Sequence, residues 1–211
     1  MIQLVIFDLD GTLINAYPAV EQSVNRVLHH FGLQPQTSEV IKRAVGFGPQ
    51  RLLETFLDGK KMKEALALYE RIHTQALLTG SSLLPGAVEL LHALKKRGCR
   101  LAVASNRPKR FSLIVIEHLG IASFFDRVLC GDELAQGKPH PEILQALMRE
   151  RGAMPAETLY VGDMVIDVET GASAGVKTLV VPTGSHTEEE LRAAGPWRVI
   201  QRLEEVLDFV E

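Results

Sequence analysis

The chain has 211 residues, 46% of them hydrophobic and 23% charged, a globular composition that excludes a disordered, collagen-like or disulfide-stapled chain. Its 23 Lys and Arg stand against 26 Asp and Glu, a net charge of −3, too weak and of the wrong sign for a protein that grips a phosphate backbone, so nucleic acid is not an expected partner. A chain of this size buries roughly 70% of its unfolded surface, enough for one full core and a smaller appended module.

The first predicted element is Leu4-Val5-Ile6-Phe7, a short apolar run that ends in Asp8. No basic region precedes it and no small-residue cleavage site follows it. From residue 16 to residue 79 the texture changes to helix-like stretches only, at 20–31, 50–57 and 62–78, which reads as an inserted helical module. Its exit, residues 79–86, has the Gly, Ser and Pro chemistry of a linker. Val88, Leu91 and Leu94 then recur at helical spacing before Lys95-Lys96-Arg97-Gly98, where the bases suit the helix C-terminus and the glycine the position after it. Apolar runs return at 101–104, 127–130, 158–161 and 178–181, and a further helix is predicted from Pro141, as its first residue, to Gly152. The tail, 187–211, reads as two short helices around 197–200, a stretch able to add an edge strand, with Trp197 as an anchor.

Continuous rather than alternating apolarity marks strands covered on both faces. Strand followed by helix, repeated, gives an α/β fold with a doubly wound parallel sheet and right-handed crossovers. The expected division is a core of residues 1–15 and 81–211 with the helical segment 16–80 inserted. Cys99 and Cys130 adjoin apolar runs and are expected as buried free thiols. No stretch reaches the length of a membrane span, and a reducing, cytoplasmic setting is expected.

In such sheets ligands bind beyond the carboxyl ends of the strands, and the polar residues gather there. Asp8 and Asp10, in Asp8-Leu9-Asp10-Gly11-Thr12, are two apart directly after a strand and face one crevice. Charges so close repel unless a cation intervenes, which implies a hard divalent metal, Mg²⁺ being the usual one for carboxylates, waters and phosphate. Ser105-Asn106-Arg107-Pro108 follows the second run and puts a hydroxyl and backbone donors where an anion could be held. Lys138 is fixed in Gly137-Lys138-Pro139-His140-Pro141. Asp163 and Asp167, in Gly162-Asp163-Met164-Val165-Ile166-Asp167, add two acids that share a face if a helix has begun there.

These four segments, in this order, resemble the motifs of the haloacid dehalogenase superfamily of phosphatases over nearly the whole chain. The helical insertion, Val45-Gly46-Phe47-Gly48 with Leu52-Leu53, Ser105-Asn106-Arg107-Pro108 and Lys138-Pro139-His140-Pro141 are similar to stretches of its phosphoglycolate phosphatase-like branch, whose insertion is a cap domain. The resemblance implies a Mg²⁺-dependent phosphatase of small phosphorylated metabolites, with Asp8 as nucleophile and Asp10 as acid and base. It implies Asp8, Asp163 and the backbone carbonyl of Asp10 at the metal, Asp167 behind them or reaching it through water, and Ser105, Asn106 and Lys138 on the phosphoryl oxygens. Arg107, Phe47 and Arg51 are candidate substrate contacts, with packing the plainer reading of Phe47 and solvation that of Arg51 and Arg43. A monomer or homodimer is expected. A sugar phosphomutase and an inorganic pyrophosphatase use related chemistry, and a catalytically silent phosphate-binding regulator is the non-enzymatic alternative, disfavoured because every charged motif residue is present.

The sequence departs from the family at Asn15, commonly an acid, at Ala16, commonly a small hydroxyl residue, and at Met164, often Ser or Thr. His29, His30, His73, His92, His118, His140 and His186 show no ligand spacing and read as surface or satisfied core residues.

Overall fold

A computed structural model describes residues 1–210; Glu211, the last residue of the expected tail and core segment, lies outside the described residues. The elements in chain order are β1 (Leu4–Phe7), β2 (Ile14–Asn15), α1 (Tyr17–His30), α2 (Ser38–Ala44), α3 (Gly48–Glu54), α4 (Met62–Gly80), β3 (Ser82–Leu83), α5 (Ala87–Lys96) and β4 (Arg100–Ser105). There follow α6 (Lys109–His118), β5 (Arg127–Cys130), α7 (Glu142–Arg151), β6 (Thr158–Gly162), α8 (Val165–Ala174), β7 (Lys177–Val180), α9 (Glu188–Ala193) and β8 (Arg198–Val199).

Six strands pair in the order β5-β4-β1-β6-β7-β8, each ladder parallel. The sheet is apolar on both faces, as the unbroken runs require. Val5, Phe7, Val103 and Val161 pack on one side with Leu90, Leu91 and Leu94 of α5. Leu4, Ile6, Ala102 and Tyr160 pack on the other with Ile143, Leu144 and Leu147 of α7. Burying each large aliphatic side chain contributes about 1.5–3 kcal/mol against leaving it in water, which holds β1 as the buried inner strand from which the site is built. Among the described residues, no helix is long and apolar enough to cross a membrane.

Several expectations change. Helix α2 was not read from the sequence because it buries only Ile41 and so has no apolar stripe; Thr37 caps it, accepting a hydrogen bond from the Val40 amide at 3.4 Å. Pro141 is the N-cap of α7 rather than its first residue. The exit of the helical segment is not a free linker, since α4 runs to Gly80 and Ser82 and Leu83 then pair antiparallel with Asn15 and Ile14. Both crossings between sheet and helical segment therefore lie side by side. In the tail, α9 and a 3₁₀ turn at Leu203–Phe209 flank β8, and the Trp197 ring meets Phe209 edge-on, centroids 5.2 Å apart.

Candidate active site

The C-terminal end of β1 delivers Asp8 and Asp10 to the crevice, and the chain then turns sharply at Gly11, whose φ of +84° disfavours any side chain. A Cβ there would also stand 2.7 Å from Cγ of Asp163, so glycine lets the first loop lie against the second acid pair. Thr12 Oγ1 donates to Asp163 Oδ1 at 2.8 Å, and Tyr17 Oη to Oδ2 at 3.5 Å.

Asp163 and Asp167 do not share a helix face. Helix α8 starts only at Val165, and Asp167 in its first turn reaches back so that Oδ2 accepts the amides of Met164 at 3.0 Å and Asp163 at 3.1 Å. Its other oxygen, Oδ1, accepts from Lys138 Nζ at 2.7 Å and from Tyr160 Oη at 2.6 Å. Both oxygens of Asp167 are thus committed to holding the loop and the lysine. Lys138 Nζ also meets Asp8 Oδ1 at 2.8 Å and donates to Tyr160 Oη at 3.1 Å.

The electrostatics follow from burial. Carboxylate oxygens of Asp8, Asp163 and Asp167 gather within 4.8 Å of one another, with one ammonium among three acids. Burial pushes Asp8 up to about 7 against the pull of Lys138. Burial, then the charges of Asp8 and Asp167, holds Asp163 well above the usual carboxylate range. Burial works against the charge of Lys138, but Asp167 and Asp8 outweigh it and raise its pKa. Acids in this condition fit a divalent cation, which removes the repulsion that raises them. Gly184 lets the chain lie directly against the Asp163 carboxylate, since a Cβ there would run into it.

Ser105 ends β4 buried in the crevice, its Oγ accepting from the Arg107 amide at 3.2 Å. The Asn106 side chain is fully used: Nδ2 donates to the carbonyls of Gly46 at 2.8 Å and Lys138 at 3.0 Å, and Oδ1 accepts the Lys138 amide at 2.8 Å. Arg107, only 8% exposed, grips both oxygens of Asp10, Nε at 2.7 Å and Nη2 at 2.5 Å. A cavity of about 60 Å³ brings Asp8, Asp10, Ser105, Asn106, Arg107 and Lys138 together.

Phe47 and Arg51 do not line it. Phe47 is 52% exposed rather than packed, and Arg51 points to solvent, 3.6 Å from Glu54. Arg43 is not simply solvated, since its Nη1 bonds Glu190 of α9 at 2.8 Å. Met164 meets the helical segment: a Cβ at Gly46 would lie 2.7 Å from its Cε. The sequence reading missed Tyr17, Tyr160, Ser23, Tyr69 and the placement of His73, none of which has a spacing signal; only position, just past a strand end, within a central strand or on the inner face of a helix, could have marked them.

Fold and site together define a parallel-sheet α/β protein with a cluster of buried acids at the strand ends. Comparison with known proteins agrees: the model of the haloacid dehalogenase-like hydrolase family matches residues 5–181. A phosphoglycolate phosphatase of Rhodospirillum rubrum is 34% identical, covering 100% of this chain and 91% of that one, and that of Rhodobacter capsulatus is 32% identical over 87% and 86%. The crystal structure of a predicted phosphoglycolate phosphatase from Haemophilus somnus superposes with a TM-score of 0.94 at 27% identity, covering 100% of this chain and 98% of that one. The chain belongs to the haloacid dehalogenase-like hydrolases, and within them it is an enzyme of the phosphoric monoester hydrolase class.

Proposed function

We propose that the protein is a Mg²⁺-dependent phosphatase of small phosphomonoesters acting through an aspartyl-phosphate, with phosphoglycolate the first substrate to try. The observation that carries this reading is the placing of Asp8: buried, at the end of the central strand, 2.8 Å from Lys138 Nζ and in one cavity with Asp10. Asp8, Asp163 and the backbone carbonyl of Asp10 would hold the metal. When bound, Mg²⁺ supplies positive charge that offsets the acids and the phosphoryl group beside them. Residues 16–80 act as the cap that covers the site.

An Asp8 oxygen attacks phosphorus as the ester P–O bond breaks, and Asp10 gives its proton to the departing alkoxide. Asp10 then takes a proton from the water that attacks the aspartyl-phosphate, releasing inorganic phosphate and restoring both acids. Lys138, Ser105 and the Asn106 loop stabilise the phosphoryl oxygens through fixed charge and dipoles. Arg107 holds Asp10 by one hydrogen bond to each oxygen, which orients the carboxyl and leaves each oxygen a second lone pair for the proton.

The test is phosphate release from sugar phosphates, phosphoglycolate, nucleotides and pyrophosphate. Mg²⁺-dependent release that drops by at least ~10³-fold in Asp8→Asn is expected; wild-type turnover by that variant overturns the assignment. Return of the phosphoryl group to a hexose phosphate would identify a mutase instead.

A further inference from the structure

Besides Asp8 and Asp10, the cavity is lined by Arg107 and by His73 of α4, and the His73 ring is hydrogen-bonded to Ser23 of α1. The Ser23 hydroxyl donates its single hydrogen to the Ala19 carbonyl at 2.8 Å. Towards His73 Nδ1, also 2.8 Å away, it is therefore an acceptor, and Nδ1 carries the imidazole proton. That leaves Nε2 with an uncommitted lone pair on a ring that lines the cavity. Burial and then the Arg107 charge hold this imidazole down at about 3, so it is a neutral acceptor at working pH. Stacking on Tyr69, centroids 4.6 Å apart, and an edge contact with Phe111 at 4.9 Å fix the ring plane.

Arg107 presents the complementary group. Its Nε and Nη2 are taken by Asp10, but Nη1 is buried without a partner. A charged donor left unsatisfied inside a protein is costly and calls for a partner, whether a water, an ion or a group of a ligand. The site thus sets one acceptor and one cationic donor against apolar walls that include Val20, Leu52 and Phe111. The cavity, about 60 Å³, opens to solvent on one side.

Resting on the phosphatase reading, we propose that His73 and Arg107 form a leaving-group subsite for a short phosphorylated hydroxy acid, whose carboxylate takes Arg107 Nη1 and whose free hydroxyl donates to His73 Nε2. Ser23 is a positioning residue that fixes the imidazole tautomer.

The experiment compares 2-phosphoglycerate, with carboxylate and hydroxyl, phosphoglycolate, with carboxylate only, glycerol phosphate, with hydroxyls only, and ethyl phosphate, with neither. For the wild type, kcat/KM is expected highest for 2-phosphoglycerate and lowest for ethyl phosphate. His73→Phe should cut the ratio of 2-phosphoglycerate to phosphoglycolate about tenfold or more, mainly through KM. His73→Gln, which keeps an amide acceptor, should restore part of it, and Ser23→Ala should lower it less than His73→Phe. A wild type that treats the four esters alike, or a normally melting His73→Phe with an unchanged ratio, overturns the subsite. Calorimetric binding of 2-phosphoglycerate and ethyl phosphate to Asp8→Asn protein reads it without turnover: preference for the former supports the subsite even if no ester is hydrolysed, and equal binding rejects it. Absence of hydrolysis across the panel and an aryl phosphate would instead remove the phosphatase reading.

Discussion

Lys138 is the counter-charge of the site, with bonds to Asp8, Asp167 and Tyr160. Replacing it by Met keeps much of the volume but leaves three acids without a cation. Lys138→Met is expected to lose ~10²–10³-fold in kcat and, in metal-free buffer, about 3–5 kcal/mol of unfolding free energy, read from urea titrations. His73 permits a cleaner reading of pH. Its folded pKa is lowered to about 3 from 6.5, so between those values the unfolded chain binds a proton that the folded chain refuses. Its contribution is full above pH 6.5 and is lost as pH falls towards 3. His73→Gln should therefore shrink the stability difference between pH 7.5 and pH 5 by about 2 kcal/mol, and an unchanged difference between the two proteins would count against a neutral, buried ring.

At the level of elements, Asn106 joins three segments that are remote in sequence: the end of β4, the α2–α3 loop at Gly46 and the loop that carries Lys138. Gly137 makes room for it, since a Cβ there would stand 2.6 Å from Asn106 Oδ1. Asn106→Ala should cost about 1–3 kcal/mol from the acceptors and donor it strands, and kcat should fall as Lys138 loses its brace; an unmoved melting temperature with wild-type kcat would show that the tie is idle. What the chain reveals before folding divides along similar lines. The strands were legible because a strand covered on both faces must be apolar throughout, and Asp8, Asp10, Ser105, Lys138, Asp163 and Asp167 were legible because each stands in a motif at or beyond the end of such a run. Helix α2 was not, because one buried Ile41 makes no pattern. The Asp10–Arg107 and Ser23–His73 pairs, 97 and 50 residues apart, leave no local trace, since only the folded topology makes them neighbours.

For the whole molecule, a cation that binds only the folded acids stabilises by mass action. Mg²⁺ at a free concentration ~100-fold above its dissociation constant should add about 2.7 kcal/mol, and Asp163→Asn should abolish most of that gain in a thermal melt. The helical segment also meets the core through Arg43 and Glu190, whose side chains are each 43% exposed. Such a pair is worth only about 0.2–1 kcal/mol, so Glu190→Gln should scarcely move the melting temperature. The pairing of Ile14 with Leu83 and Asn15 with Ser82 bears on how this chain can vary through its lineage. Because the outgoing and returning strands are zipped to each other, lengthening one alone slides the register and turns every side chain on it to the opposite face. Insertions or deletions within these two strands should survive only where both change together.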